Sequence, residues 1–211
     1  MEKLKSTLPN MLLSLTGVCV IAGAILAGVN AMTKEPIAQS KAATLEAAIK
    51  AVTPEFDNKP SEESYMAAVS DGDSVRIYPA KKGNEWVGAA VESYSKNGFG
   101  GEIKVIVGFD KEGKIVNYSV LQHAETPGLG AKMQDWFRTN KGNQSIIGRT
   151  ITADGLKVKK DGGDVDAITA ATISSRAFLE AVNRAYSALT GVDAKGAATS
   201  KSSKEGGNNN E

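Results

Sequence analysis

Glu102-Ile103-Lys104-Val105-Ile106-Val107-Gly108-Phe109 and Lys114-Ile115-Val116-Asn117-Tyr118-Ser119-Val120-Leu121 flank Asp110-Lys111-Glu112-Gly113. Both runs are rich in Val, Ile and aromatic residues. The four residues between them end in Gly, which predicts an antiparallel β-hairpin. Upstream, Ser74 to Tyr78 and Glu85 to Val91 have the same character and add two strands. Between the strand pairs lies Asn97-Gly98-Phe99-Gly100-Gly101, readable as a glycine-rich turn or as a backbone surface for a ligand.

Downstream of the hairpin the periodicity changes. Ala131 to Arg138 predicts a short helix turning Met133, Trp136 and Phe137 inward, and Gly148 to Lys159 predicts one or two further strands. In Ile173 to Leu189, the residues Phe178, Ala181, Val182, Ala185 and Leu189 form one apolar stripe, with Gly191 where a helix stops. The expected fold class is α+β, a twisted, largely antiparallel sheet flanked by helices. From Asp193 the chain is Lys, Ser, Gly, Ala and Asn, a composition that predicts a disordered tail.

At the other end, no charge interrupts Ser6 to Thr33, and Met11 to Met32 is almost all Leu, Val, Ile, Ala and Gly. At about 1.5 Å per residue this spans a hydrocarbon layer of roughly 30 Å. Its apolar run is longer than that of a cleaved signal peptide, the competing reading prompted by Val29-Asn30-Ala31. Lys3 and Lys5 precede it and the mixed run Lys34, Glu35 and Pro36 follows, so the positive-inside tendency places the N-terminus in the cytoplasm and the remainder outside it. Beyond the span, Ala38, Ala42, Leu45, Ile49 and Val52 share one helical face, and Thr53 to Ser64, with Pro54 and Pro60, reads as a connector.

Composition narrows the function classes. A net charge of +1 with lysines scattered among acids gives no basic stripe, so no nucleic-acid partner is expected. The single cysteine, Cys19, lies in the apolar run, and His123 is the only histidine. Cysteine-held iron–sulfur clusters and a protein-built metal site are therefore not expected. Redox chemistry in such a chain falls to an organic cofactor.

Two segments are candidates for that chemistry. His123-Ala124-Glu125-Thr126-Pro127-Gly128-Leu129-Gly130 follows a strand, and its Pro-Gly pair fits the centre of a type II turn. A carboxylate and a hydroxyl beside two glycines suit a polyhydroxyl chain or a ring edge. Asp166-Ala167-Ile168-Thr169-Ala170-Ala171-Thr172-Ile173-Ser174-Ser175 leads into the long helix. Hydroxyls at a helix start serve as caps, and the same place attracts phosphate through its unpaired N–H groups. Both readings stand on the residues alone.

Together, His-x-Glu-Thr-Pro-Gly-Leu-Gly and Asp-x-Ile-Thr-x-Ala-Thr-Ile-Ser-Ser resemble the FMN-binding domain family. With one N-terminal span, the chain resembles the G subunits of Rnf-type electron-transport complexes, which are related to the C subunits of sodium-translocating NADH:quinone reductases. The resemblance implies FMN esterified through its phosphate to Thr172 by a dedicated flavin transferase that cleaves FAD. It also implies a pocket from His123, Glu125, Thr126, Pro127, Gly128, Leu129, Gly130, Thr169, Ala170 and Ala171, with Glu125 or Thr126 bonding the ribityl chain or ring. Lys132 and Arg176 are candidates to neutralise the phosphate. The family carries Gly where this chain has Ala170, a substitution that strains the backbone if φ there is positive.

The implied role is electron relay within an ion-translocating oxidoreductase of the membrane, alongside its other subunits. A stand-alone membrane-anchored flavoprotein reductase, a C subunit of a sodium-translocating NADH:quinone reductase and an extracytoplasmic binding module are the alternatives. The corresponding division is 1–7 cytoplasmic, 8–32 transmembrane, 33–64 juxtamembrane helix and connector, 65–191 FMN-binding domain and 192–211 tail.

Overall fold

The computed structural model describes residues 7–69, 72–192 and 194; the expected cytoplasmic lysines and most of the expected tail lie outside these. Its contacts divide the chain into two units, up to Leu45 and from Glu46 onward. In the first unit, helix α1 begins at Leu8, and the helix continues through to Val52. It is long and apolar enough to cross a membrane, and its large side chains, such as Leu12 and Leu26, are exposed. The periodic segment after the span is helical, as its spacing requires, and continuous with the span. Pro36 sits inside the helix, where its missing N–H forfeits a single backbone hydrogen bond.

The second unit is built on five antiparallel strands, β1 (Tyr65–Ala68), β2 (Ser74–Lys82), β3 (Glu85–Ser95), β4 (Ile103–Asp110) and β5 (Ile115–Gln122), adjacent in chain order. The hairpin expected around Asp110–Gly113 joins β4 to β5, closed by the Gly113 N–H to Asp110 carbonyl bond at 3.0 Å. The sequence reading lacks β1. Its Tyr-Met-Ala-Ala has neither alternation nor a β-branched residue, and only pairing with Val75 and its neighbours makes it a strand.

Both faces of the sheet are covered. Ile77, Val91, Val107 and Phe109 belong to the core shared with helix α3 (Thr172–Thr190). There the Phe137 and Phe178 rings stack at 4.5 Å, and Tyr118 meets Phe178 edge-on at 4.8 Å. The Tyr118 hydroxyl donates to the Met133 carbonyl at 2.7 Å, and burial pushes its pKa up to about 12. On the opposite face, Gly108 makes room for the end of α1: a Cβ on it would stand 1.7 Å from the Val52 carbonyl oxygen. Its pairing partner Asn117 donates its side-chain amide to the Ala51 carbonyl at 3.0 Å. Asp57 and Asn58 in the connector accept the amides of Gly83 and Lys81 at 2.8–2.9 Å, tying it to the β2–β3 hairpin.

After β5 come a 3₁₀ turn (Gly130–Lys132) and helix α2 (Met133–Trp136), burying Met133 and Phe137 as their spacing predicts. The strands expected in Gly148–Lys159 are not formed. That stretch makes only isolated bridges, Lys114 with Thr150 and Val158 with Val165. Gly148 and Gly155 adopt positive φ and turn the chain. A side chain also satisfies the backbone of Leu156: buried Asn183 accepts its N–H at 2.8 Å and donates to its carbonyl at 3.0 Å. Phe178, Ala181, Val182 and Ala185 of the α3 stripe are buried as predicted, Leu189 is half-buried against the core, and Gly191 closes the helix at φ +71°.

Replacing Asn183 with Ala leaves two backbone groups of Leu156 unpaired and is expected to destabilise the protein by about 2–4 kcal/mol, measured by chemical denaturation. Acid will also loosen the segment before α3. Hydrogen bonds from Arg176 to Asp161 and from Lys159 to Asp166 hold both carboxyls below their usual range. Because these pKa values are lower in the folded state, their stabilisation is complete above about pH 4 and is lost as pH falls through the depressed values. The denaturation midpoint is expected to fall on acidification, less steeply in Asp161→Asn.

A cleft at the start of helix α3

The chain leaving β5 turns at once. The Leu129 N–H donates to the Thr126 carbonyl at 3.2 Å, with Pro127 and Gly128 at the centre of the turn and Gly128 at φ +76°. This is the conformation a type II turn needs at that glycine. At the turn's entry, His123 Nδ1 accepts the Glu125 N–H at 3.2 Å, and its Nε2 lies 3.3 Å from Gln134 Nε2. The imidazole thus orients the loop.

Glu125 points inward and is 4% exposed. Its Oε1 accepts the Gly100 N–H at 2.8 Å, and its Oε2 accepts the Ser174 hydroxyl. These two bonds fasten the glycine loop and the first turn of α3 to the same carboxylate. The approach is too close for side chains. A Cβ on Gly98 would stand 2.6 Å from Glu125 Oε1, one on Gly100 2.0 Å from the Ala124 carbonyl oxygen, and one on Gly130 2.5 Å from Ser174 Oγ.

Helix α3 starts without a side-chain cap. Ala171 occupies the N-cap with φ −136° and ψ 48° and supplies no hydroxyl. The neighbouring hydroxyls have other partners. Ser175 accepts the Ile168 N–H at 2.9 Å and donates to the Ala171 carbonyl at 2.9 Å, while Ser174 is held by Glu125. The hydroxyl of half-buried Thr172 has no hydrogen-bond partner among the described residues. First-turn amides of an α-helix lack intrahelical acceptors and carry the positive end of the helix dipole, so this end suits a phosphate.

A cleft of about 340 Å³ opens in front of these amides. Its walls come from both motifs, Glu125, Thr126, Leu129 and Gly130 from the first and Ala170, Ala171 and Thr172 from the second. Its size is within the range of small-ligand sites, roughly 300–1,000 Å³. His123, Pro127, Gly128, Lys132 and Thr169 do not line it. Arg176 is committed elsewhere, its guanidinium gripping Asp161 through two bonds of 2.6 and 2.7 Å. Phe99, Ile173 and Ser174 line the cleft but were not singled out by the sequence reading. For Phe99 a signal existed, an aromatic residue isolated among glycines.

Ala170 has φ +61° and is the one non-glycine with positive φ among the described residues. A left-handed conformation costs an L-residue roughly 1–2 kcal/mol, and Gly in place of Ala returns about 0.4–1 kcal/mol of that through the freer unfolded chain. Because Ala170 is exposed, no packing is lost. Ala170→Gly is therefore expected to raise unfolding free energy by about 0.5–1 kcal/mol, read from denaturant curves.

The FMN-binding domain model matches residues 98–187, from the glycine loop into the last turn of α3. The chain is 35% identical over 190 residues to the G subunit of the ion-translocating oxidoreductase complex of Shewanella amazonensis, covering 85% of this chain and 86% of that one. With the G subunit from Yersinia pestis it shares 37% identity over 176 residues, 78% of this chain and 81% of the relative. With the one from Escherichia coli it shares 36% over 172 residues, 76% and 81% of the two chains. Likeness of this extent, carried through a cleft that joins the two motifs, means that the chain belongs to the family of ion-translocating oxidoreductase complex G subunits and contains its FMN-binding domain.

Proposed function

We propose that this chain is the membrane-anchored, electron-carrying subunit of an ion-translocating oxidoreductase complex, and that it holds FMN as a phosphodiester on Thr172. The observation that carries the attachment is the position of Thr172. It stands at the first residue of α3, on the cleft wall, with its hydroxyl unengaged while Ser174 and Ser175 are both bonded. Phosphate on that hydroxyl would lie beside the unpaired amides of the helix start, which disperse its negative charge. No intrinsic nucleophilicity is needed at Thr172, because a separate flavin transferase performs the transfer. In that step the Thr172 Oγ1–P bond forms on the FMN side of FAD, the pyrophosphate bond breaks, AMP leaves, and the hydroxyl proton passes to the transferase.

FMN supplies reversible electron uptake, and the protein supplies placement. Leu129 and Ile173 offer apolar surface to the ring, and Thr126 offers a hydroxyl to the ribityl chain or ring edge. Glu125 braces the walls, since both its oxygens are already bonded to protein. A tethered flavin stays with its complex outside the cytoplasm, where a dissociated one would diffuse away. Lys3 and Lys5 before the span support that orientation in the inner (cytoplasmic) membrane, with the FMN-binding domain on the periplasmic or extracytoplasmic side.

The test is mass spectrometry of the Thr172 peptide from native membranes. A flavin adduct on Thr172 is expected, retained when the transferase is present and missing without it. Thr172→Ala should abolish the adduct with far-UV circular dichroism unchanged, and Thr172→Ser should keep part of it. An unmodified native peptide would overturn the proposal.

A further inference from the structure

Among the described residues, no other aromatic ring packs on Phe99. Its side chain is 69% exposed at the cleft mouth, beside Leu129 and Ile173, which are 40% and 49% exposed. The backbone under it is fixed. Gly100 is bonded to the buried Glu125 carboxylate, the Gly101 N–H returns to the Gly98 carbonyl at 3.3 Å, and neither Gly98 nor Gly100 has room for a Cβ. The loop, packed against the first motif, thus carries one aromatic ring out over the cleft. A flat apolar ring held there matches a flat aromatic ligand, since aromatic faces prefer offset-stacked or edge contacts.

We propose that Phe99 covers the isoalloxazine ring, fixing its orientation against Leu129 and Ile173 and keeping water from one side of it. This rests on the reading that FMN is attached to Thr172. An aromatic contact is worth about 0.5–1.5 kcal/mol, so losing it changes the ratio of covered to open ring by about two- to tenfold.

The experiment uses the full-length protein in detergent, made with the transferase, and reads flavin emission and its quenching by iodide. Phe99→Ala is expected to load FMN as the native protein does, with an iodide quenching constant raised toward the about two- to tenfold limit set by the lost contact. Phe99→Trp is expected to load equally and to emit far more weakly, because an indole in contact with a flavin quenches it by electron transfer. A native-like quenching constant in Phe99→Ala, or native emission in Phe99→Trp, overturns the inference. So does failure of both variants to load while the native protein loads, because a cover acts after attachment. Absence of flavin from the native protein would instead overturn the attachment on which the inference rests.

Discussion

The buried carboxylate of Glu125 is the constraint on which the site depends. Gly100, Glu125 and Ser174 lie far apart in the chain, and one carboxylate bonds the other two. A carboxyl group this deep is tolerated only where its oxygens are satisfied, and here an amide and a hydroxyl do so. The exchange is mutual. The carboxylate draws the loop and the helix start together, and their closeness forces glycine at 98, 100 and 130, where any Cβ would collide. The cleft is the space left in front of that junction.

The junction also divides the hydroxyls of the second motif by role. Ser175 bonds the backbone at Ile168 and Ala171, Ser174 bonds Glu125, and Thr172 retains an unused hydroxyl on the wall. Had Ser or Thr stood at position 171, its side chain would have met the first-turn amides itself. With Ala there, the amides remain for a ligand. Helix α3 thus gives up a cap, an interaction worth about 1 kcal/mol, and its first-turn amides are left without a side-chain acceptor.

Much of this was legible in the sequence. The hairpin around Asp110–Gly113, the stripe and stop of α3 and the Pro127–Gly128 turn follow from local rules, and the structure has them. What was not legible depends on contacts between distant segments. Glu125 reads as a ligand group from its neighbours in sequence and becomes a brace only when Gly100 and Ser174 are in place. Arg176 looks like a phosphate partner until Asp161 is found against it. The Val, Ile and Thr of 148–159 favour a strand by propensity, yet Asn183 takes the backbone bonds of Leu156. Tertiary context outweighs a propensity spread of about 1 kcal/mol.

The two covered faces of the sheet explain why β4 is buried along most of its length although its connections are antiparallel. Val107 and Phe109 face the α3 core, and Ile106 is also fully buried while Gly108 receives the end of α1. An antiparallel sheet with one solvated face would alternate apolar and polar residues, and β4 does not. Its continuous apolar run records a second layer, the last turns of the helix that carries the apolar span. The same glycine that weakens a strand by its missing side chain lets that helix end reach the sheet backbone. The strand that anchors the α3 core on one face therefore also receives the end of α1 on the other.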